Sequence, residues 1–301
     1  MANFKKIKML RKIIKKFFND KFSKKKLEID IENLKNLIGK IKVDQNRLKK
    51  TNDLNQFEFK VYSQFGEDGI IQFIINNIKI KNKVFIEFGV ENYEEANTRF
   101  LLENNNWEGL IIDSSIENID YIKKKEYYWK NKIVAVCDFI KVKNINEIIK
   151  KNNIQGQVGL LSIDIDGNDY WIWECIEVIY PDIVIIEYNA RLGFDKSLTI
   201  PYKEDFERGI HQNKIFYGAS LKALFNLGIS KGYSLIGTNM NGNNAFFVKN
   251  ELIAGTKLVS KTPRECFNLN SFTETFDQRN NIIKDPNYEK ELIEKYPFQK
   301  I

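Results

Sequence analysis

VFIEFGVENYEEANTRFLLENNNWEGLIID, residues 84–113, is the stretch that decides the fold. It opens on a short apolar run, breaks at Gly89, passes through a polar segment with apolar residues at helical spacing, and closes on a second apolar run ending at Asp113. Strand, helix and strand within about 30 residues is a parallel βαβ unit. A dinucleotide site of this length carries G-x-G-x-x-G after its first strand, because a pyrophosphate must come close to backbone amides. Here Gly89 is followed by Val90, Glu91 and Asn92, and further acids come after them. The segment keeps the strand and the turn but makes a poor cradle for phosphate.

The alternation extends on both sides of this unit. Apolar, β-branched runs at 84–87, 110–113, 133–136, 160–163 and 183–186 alternate with helical spacing at 67–77, 94–103, 119–129, 145–151 and 170–178. That order predicts an α/β fold, a Rossmann-like, mostly parallel sheet with helices on both faces. After it, residues 219–231 read as a helix, and GYSLIGTNMNGNNAFFVK, residues 232–249, as two strands around an Asn-Gly turn. A hairpin there makes the last strand antiparallel.

Ligands of such sheets sit outside the carboxyl ends of the strands. Those ends carry Glu87, Asp113, Asp138, Asp164 with Asp166, and Glu187 with Asn189. Acids delivered by five successive strands suit a cationic ligand and repel a diphosphate. S-adenosylmethionine has no phosphate and carries a sulfonium and an ammonium, so one glycine suffices for its turn. On this reading Glu87, Gly89, Asp113, Ser114, Asp138 and Asp164 are the expected cofactor-binding residues. Asp113 is placed to accept from both ribose hydroxyls, each charge-assisted bond contributing roughly 1.5 to 3 kcal/mol; the alternative for it is a solvated acid capping the next turn. Asp138 either meets the adenine amino group or is a plain turn aspartate.

Four motifs carry a family resemblance: SQFGED at 63–68, IEFG ending at Gly89, NTRFLLENNNWEGLIID at 97–113 and LLSIDIDGNDYWI at 160–172. In this order they resemble the successive motifs of FkbM-type methyltransferases, over roughly residues 60–250. The resemblance implies a class I methyltransferase sheet and transfer of a methyl group from S-adenosylmethionine to a hydroxyl, often on a sugar or polyketide. Two departures stand out: VENYEE replaces the family's glycine-containing turn after the first strand, and its acid and proline after the second strand become Asp113 and Ser114.

Methyl transfer needs a nucleophile aligned about 3 Å from the methyl and a group to take its proton. Asp164 and Asp166 lie two residues apart, hence on one side of a continuing strand, with Gly167 allowing a sharp turn. One is expected to bind the cofactor's ammonium and the other to orient or deprotonate the acceptor. His211, the only histidine, either serves as general base or is an ordinary histidine of the irregular segment 190–216, which reads as a lid or substrate-selecting loop. Tyr217 is a lesser candidate. A metal-assisted alternative gathers Asp166, Glu187 and Asn189 around Mg²⁺, since hard cations prefer oxygen ligands. Tyr170, Trp171 and Trp173 could stack on a sugar, but packing in the core is the better reading.

The whole-chain charge of +7 conceals an asymmetry. Residues 1–50 hold 17 Lys and Arg against 5 Asp and Glu, and the remaining 251 hold 30 against 35. The basicity belongs to an N-terminal arm, which argues against nucleic acid as a partner of the main domain. Ile7, Leu10, Ile14 and Phe17 give this arm an amphipathic helix, and residues 1–26 suit peripheral contact with an anionic membrane surface or packing on the protein itself. Leu27, Ile31, Leu34, Ile38, Ile41 and Leu48 then follow heptad spacing, with Gln45 at the missing step and Gly39 weakening the pattern. This segment is expected to pack on the protein's own core or to join a second copy.

The expected organisation is a basic helical, coiled-coil arm at 1–55, the α/β domain at 56–250 and a loosely attached tail at 251–301. No apolar run approaches the length of a membrane span and no secretory signal is evident, so the expectation is a cytoplasmic protein, with membrane association at the inner surface through the arm. Cys137, Cys175 and Cys266 are widely separated and read as reduced and structural. A glycan or small-molecule acceptor is the expected partner. The other function classes are a nicotinamide-dependent oxidoreductase and a non-catalytic assembly protein with a degenerate pocket.

Overall fold

A computed structural model describes residues 21–210, 213–270, 275–277, 281–283 and 285–301. Its centre is a seven-stranded sheet made of β1 (Val84–Phe88), β2 (Glu108–Asp113), β3 (Ile133–Cys137), β4 (Gly156–Ile163), β5 (Ile179–Glu187), β7 (Tyr233–Thr238) and β8 (Asn244–Lys249). The order across the sheet is β3-β2-β1-β4-β5-β8-β7. All pairings are parallel from β3 to β5, whereas β8 runs antiparallel to both β5 and β7. This is the expected Rossmann-like sheet with its last strand reversed.

The core lies on both faces. Ile86, Leu110, Ile112 and Leu161 pack on one side with Ile172 and Trp173, and Phe85, Ile111 and Leu160 on the other with Ile70 and Ile74. Alternating side chains of one strand thus enter two cores, which is why these strands are continuously apolar rather than patterned in twos. The α-helices of the described residues are α1 (Lys21–Arg47), α2 (Glu67–Asn77), α3 (Arg99–Asn105), α4 (Ile116–Lys123), α5 (Glu126–Lys130), α6 (Ile145–Lys151), α7 (Asp169–Cys175), α8 (Leu221–Ser230), α9 (Pro263–Cys266) and α10 (Pro286–Lys295). Trp173 is buried against Phe247 and Tyr233, and the Trp171 indole donates to the Ile200 carbonyl. The aromatic cluster is therefore core and support.

Of the boundaries that differ from the sequence reading, three have clear local reasons. The helix expected at 94–103 starts only at Arg99, because residues 97 and 98 are drawn around the Glu87 carboxylate. The one expected at 119–129 is two helices, the first capped by the Ser115 hydroxyl accepting from the Asn118 amide. Strand β5 begins at Ile179, four residues early, because α7 ends at Cys175.

The described parts of the arm and the tail are both anchored. Glu32 of α1 pairs with Arg99 at 3.0 Å, Asn36 donates to the Tyr62 hydroxyl and to Glu103, and Val43 is buried with Val61, Tyr62 and Phe100. Gly39 faces this contact: a Cβ there would lie 2.7 Å from the Phe100 ring and 2.8 Å from Val61. It does not interrupt the heptad stripe but lets the opposite face of α1 approach the domain. The C-terminal segment is not loosely attached. Leu258 is buried in the main core, Tyr188 donates to the Asn268 carbonyl at 2.6 Å, and β9 (Gln299–Lys300) pairs with β6 (Leu198–Thr199).

Residues 1–20 lie outside the described residues, and with them most of the segment expected at a membrane surface. Among the described residues, no helix is long and apolar enough to cross a membrane. The three cysteines are free, Cys137 exposed, Cys175 half-buried and Cys266 buried.

Candidate active site

Parallel register brings the ends of β1, β2 and β4 to one edge: Phe88 lies beside Ile112 on one side and Ile163 on the other. The residues just past these positions open into a cavity of about 600 Å³. Glu87, Gly89, Asp113, Ser114, Asp138, Asp164, Asp166 and Glu187 all line it. The sheet thus assembles every expected cofactor-binding residue and both expected catalytic aspartates.

Gly89 is dictated by close approach. Its φ is +70°, and a Cβ would fall 1.6 Å from the Asp164 carbonyl oxygen, inside the backbone of the neighbouring strand end. Its amide donates to the Ile112 carbonyl at 3.0 Å. Around the rim Glu91, Tyr93 and Asp166 also have positive φ, at 46°, 62° and 55°. Left-handed backbone at residues other than glycine costs energy that the surrounding bonds must supply, and such positions cluster at functional sites.

Buried carboxylates supply those bonds. Glu87 accepts from the amides of Asn97 (2.8 Å) and Thr98 (3.1 Å) and from the Thr98 hydroxyl, which fixes the turn after β1. Burial nevertheless raises its pKa to about 7, against the lowering by these donors. Asp68 gathers the amides of Val61, Tyr62 and Ser63 at 2.7 to 2.8 Å, and Glu67 accepts from those of Phe65 and Gly66. The acids of SQFGED therefore shape the loop that turns Gln64 and Phe65 into the cavity wall. Asp169 holds the turn after β4 in the same way, through Ile165 and Gly167, both at 2.9 Å.

Asp113 joins two loops. One oxygen accepts from the Glu91 amide at 2.8 Å; the other accepts from the Ser115 amide at 2.9 Å and the Asn118 side chain at 3.1 Å. With two lone pairs per oxygen, the Glu91-bonded oxygen keeps one acceptor site for a further donor. Asp138 is half-buried and accepts from Asn144 at 3.3 Å.

Past β4 and β5, the carboxylates of Asp164, Asp166 and Glu187 offer oxygens within 4.8 Å of one another. Burial, then the neighbouring charges of Asp166 and Asp169, hold the Asp164 carboxyl well above its ordinary range. Burial followed by Asp164 and Asp166 does the same to Glu187. Glu187 is 5% exposed, and its Oε2 finds no hydrogen-bond partner among the described residues. Arg208 donates to Asp166 at 2.6 Å and lies 3.8 Å from the centre of the Tyr217 ring.

Two expectations change here. Asn189 does not belong to an oxygen ligand set: it is fully buried, its side-chain amide donates to the carbonyls of Ile215 and Tyr217, and its Oδ1 accepts from the Arg191 amide. Asp164 takes its place in the three-carboxylate group. Tyr217 is likewise buried, packed in one cluster with Ile200, Phe206 and Phe216. His211 lies outside the described residues. Sequence reasoning missed Arg208, Asn243 and Asn244, all in the cavity wall. Arg208 belongs to a segment without periodicity, so nothing local marks it. The two asparagines read only as part of the hairpin, in which Asn243 ends the turn and Asn244 begins β8 beside Glu187.

No family model matches this chain, and no curated protein does. Among solved structures, the N-terminal domain of EvdMO1 with SAH bound is similar at 9% identity, over 55% of this chain and 72% of that one, with a TM-score of 0.36. An S-adenosylmethionine-dependent methyltransferase from Clostridium acetobutylicum ATCC 824 matches at 10% identity, over 60% and 88%, with a TM-score of 0.38. An O-methyltransferase from Bacillus cereus in complex with SAH matches at 15%, over 56% and 74%, also at 0.38. Similarity at this level carries no argument for a shared activity.

Proposed function

We propose that this protein is an S-adenosylmethionine-dependent methyltransferase that methylates a hydroxyl of a sugar, a glycan or a related metabolite. The observation that carries the reading is the cavity at the ends of β1, β2, β4 and β5. Its wall combines the forced glycine at position 89 with Asp113, Asp138, Asp164, Asp166 and Glu187. These residues fit the cofactor. The tight turn at Gly89 admits a ligand close to backbone, the remaining acceptor site on Asp113 suits a ribose hydroxyl, and the acids favour a sulfonium and an ammonium. A nicotinamide dinucleotide would bring a diphosphate into the same acid field.

When bound, the cofactor supplies a methyl group already activated by its sulfonium. The protein's part is to position the acceptor and to take its proton. Glu187 and Asp164 suit that second task, because burial and then the neighbouring carboxylates raise their proton affinity above that of a free carboxylate. Asp166 is held by Arg208 and serves to position rather than to accept the proton. Polar groups of Asn168, Asn243 and Asn244 in the same wall suit a hydroxylated acceptor.

Calorimetry on the full chain tests the cofactor assignment. Saturable binding of S-adenosylmethionine and S-adenosylhomocysteine with none of NAD is expected, and binding of NAD alone overturns the assignment. With an acceptor in hand, Glu187→Gln should lower kcat about 10²- to 10⁴-fold, the range of general-base contributions, and flatten the acidic limb of the pH profile while cofactor affinity stays within a few-fold.

A further inference from the structure

Helix α1 carries two apolar or docking stripes on opposite sides, and the domain covers one of them. Glu32, Asn36, Gly39, Val43 and Asn46 face the domain, with Asn46 donating to the Phe57 carbonyl at 2.7 Å. Leu27, Ile31, Leu34, Ile38 and Ile41 face away, with Leu48 just past the last turn of the helix, each between 44% and 81% exposed. At 100° per residue the two sets lie on opposite sides of the helix. The exposed set steps by four and three without a break except at Gln45. Six large apolar side chains in one unpaired row are more than a solvated helix face carries.

We propose that α1 pairs with α1 of a second copy of this chain as a parallel, in-register, two-stranded coiled coil. The identities at the seam point to that arrangement. Ile31 and Ile38 occupy the positions where β-branched residues favour two strands, and Leu27 and Leu34 alternate with them where leucine does, Ile41 being the one departure in that second set. Gln45 puts a polar residue at one seam position, a device that fixes register. Flanking charges agree. In a parallel pair Asp30 of one helix faces Lys35 of the other, whereas an antiparallel pair sets Asp30 against Asp44 and Lys35 against Lys42. Lys35 is half-exposed; within one chain its ammonium pairs with Glu32 of its own helix at 3.1 Å and lies 5.7 Å from the centre of the Tyr62 ring, so pairing with Asp30 of the second copy requires the side chain to turn toward the seam. Because the domain docks on the far side of α1, a two-fold axis along the seam directs the two domains outward.

The full chain, examined by size exclusion with light scattering at tens of micromolar, should have about twice the 35.4 kDa of one copy. The double variant Ile31→Lys, Ile38→Lys should be a monomer with unchanged circular dichroism, since both side chains lie outside the fold's own contacts, and its thermal midpoint should no longer depend on protein concentration. In a Cys137→Ser background, which removes the exposed thiol, Ile31→Cys should oxidise to a disulfide-linked dimer. An antiparallel pair centred on the stripe holds the two copies of position 31 about 20 Å apart, beyond the reach of a disulfide. A monomeric full chain overturns the proposal. So does a dimer that survives the double lysine variant, or one that does not cross-link through position 31. A monomeric Ile31→Cys variant whose introduced thiol reacts with a thiol reagent only after residues 1–20 are removed would also overturn it, and would assign the stripe to the chain's own N-terminus.

Discussion

Single atoms decide the character of the cavity. At Gly89 the missing Cβ is the space in which the Asp164 carbonyl sits, so no side chain can be accommodated without moving one strand end from the next. Gly89→Ala combines that overlap with a positive φ. It is expected to cost ~3 kcal/mol or more and to lower the thermal midpoint by ~10 °C, as read by calorimetric melting. Asp113 is different, because its role toward a ligand rests on one remaining acceptor site. Removing a charge-assisted acceptor loses roughly 1.5 to 3 kcal/mol, so Asp113→Ala should weaken S-adenosylhomocysteine binding about 10- to 100-fold in titration calorimetry. An affinity within two-fold of the parent would place the ribose elsewhere.

At the scale of elements, the turns at the rim are held by acids whose side chains bond backward onto their own loops. The sequence shows those acids but not what they bond. Glu87 reads as part of a rim of charge and Glu67 and Asp68 only as part of the SQFGED motif, whereas in the fold they organise residues 61–68 and 97–98 and so place Gln64, Phe65 and Asn97 in the wall. The strands and most helices were legible, because two-sided burial leaves continuous apolar runs and one-sided burial leaves helical spacing. Arg208 was not, because a segment packed by Phe206, Phe216 and Tyr217 follows no period. Helix α1 gives a further check. Gly39→Ala gains up to ~1 kcal/mol in helix propensity. The new methyl nevertheless meets the buried Phe100 ring at 2.7 Å, so the contact should prevail. The variant is expected to be less stable, with faster amide exchange across α1 than across the sheet; slower exchange would show that α1 does not depend on this contact.

Across the whole molecule, buried acids set the response of stability to pH. Glu87 has its pKa raised to about 7, and Asp68 and Asp169 theirs to about 6, in each case chiefly by burial. An acid with a raised folded pKa binds more protons folded than unfolded, so stability falls as pH rises from its unfolded value to its folded one. The thermal midpoint should therefore decline from pH 5 to pH 8. Glu94, held down at about 2 by Lys125, Tyr121 and Arg99 despite its burial, acts only below that window. Glu87→Gln should reduce the slope, although it sacrifices one acceptor; an unchanged slope would remove Glu87 from this account. The basic arm and the acidic main domain are similarly a property of the whole chain, since the net charge reports neither.

What the sequence by itself determined was the order of strands and helices, the single glycine at the first turn and the row of acids at the strand ends. Each follows from local chemistry: periodicity from burial, a turn from positive φ, an acid from its place after a strand. Only the tertiary structure decided which oxygens are consumed internally, that Asp164 rather than Asn189 joins Asp166 and Glu187, and that Arg208 reaches them from a distant loop. It also decided that Gly39 and the heptad stripe lie on opposite sides of one helix. These are matters of how distant segments meet, and no spacing along one chain encodes the distance between two.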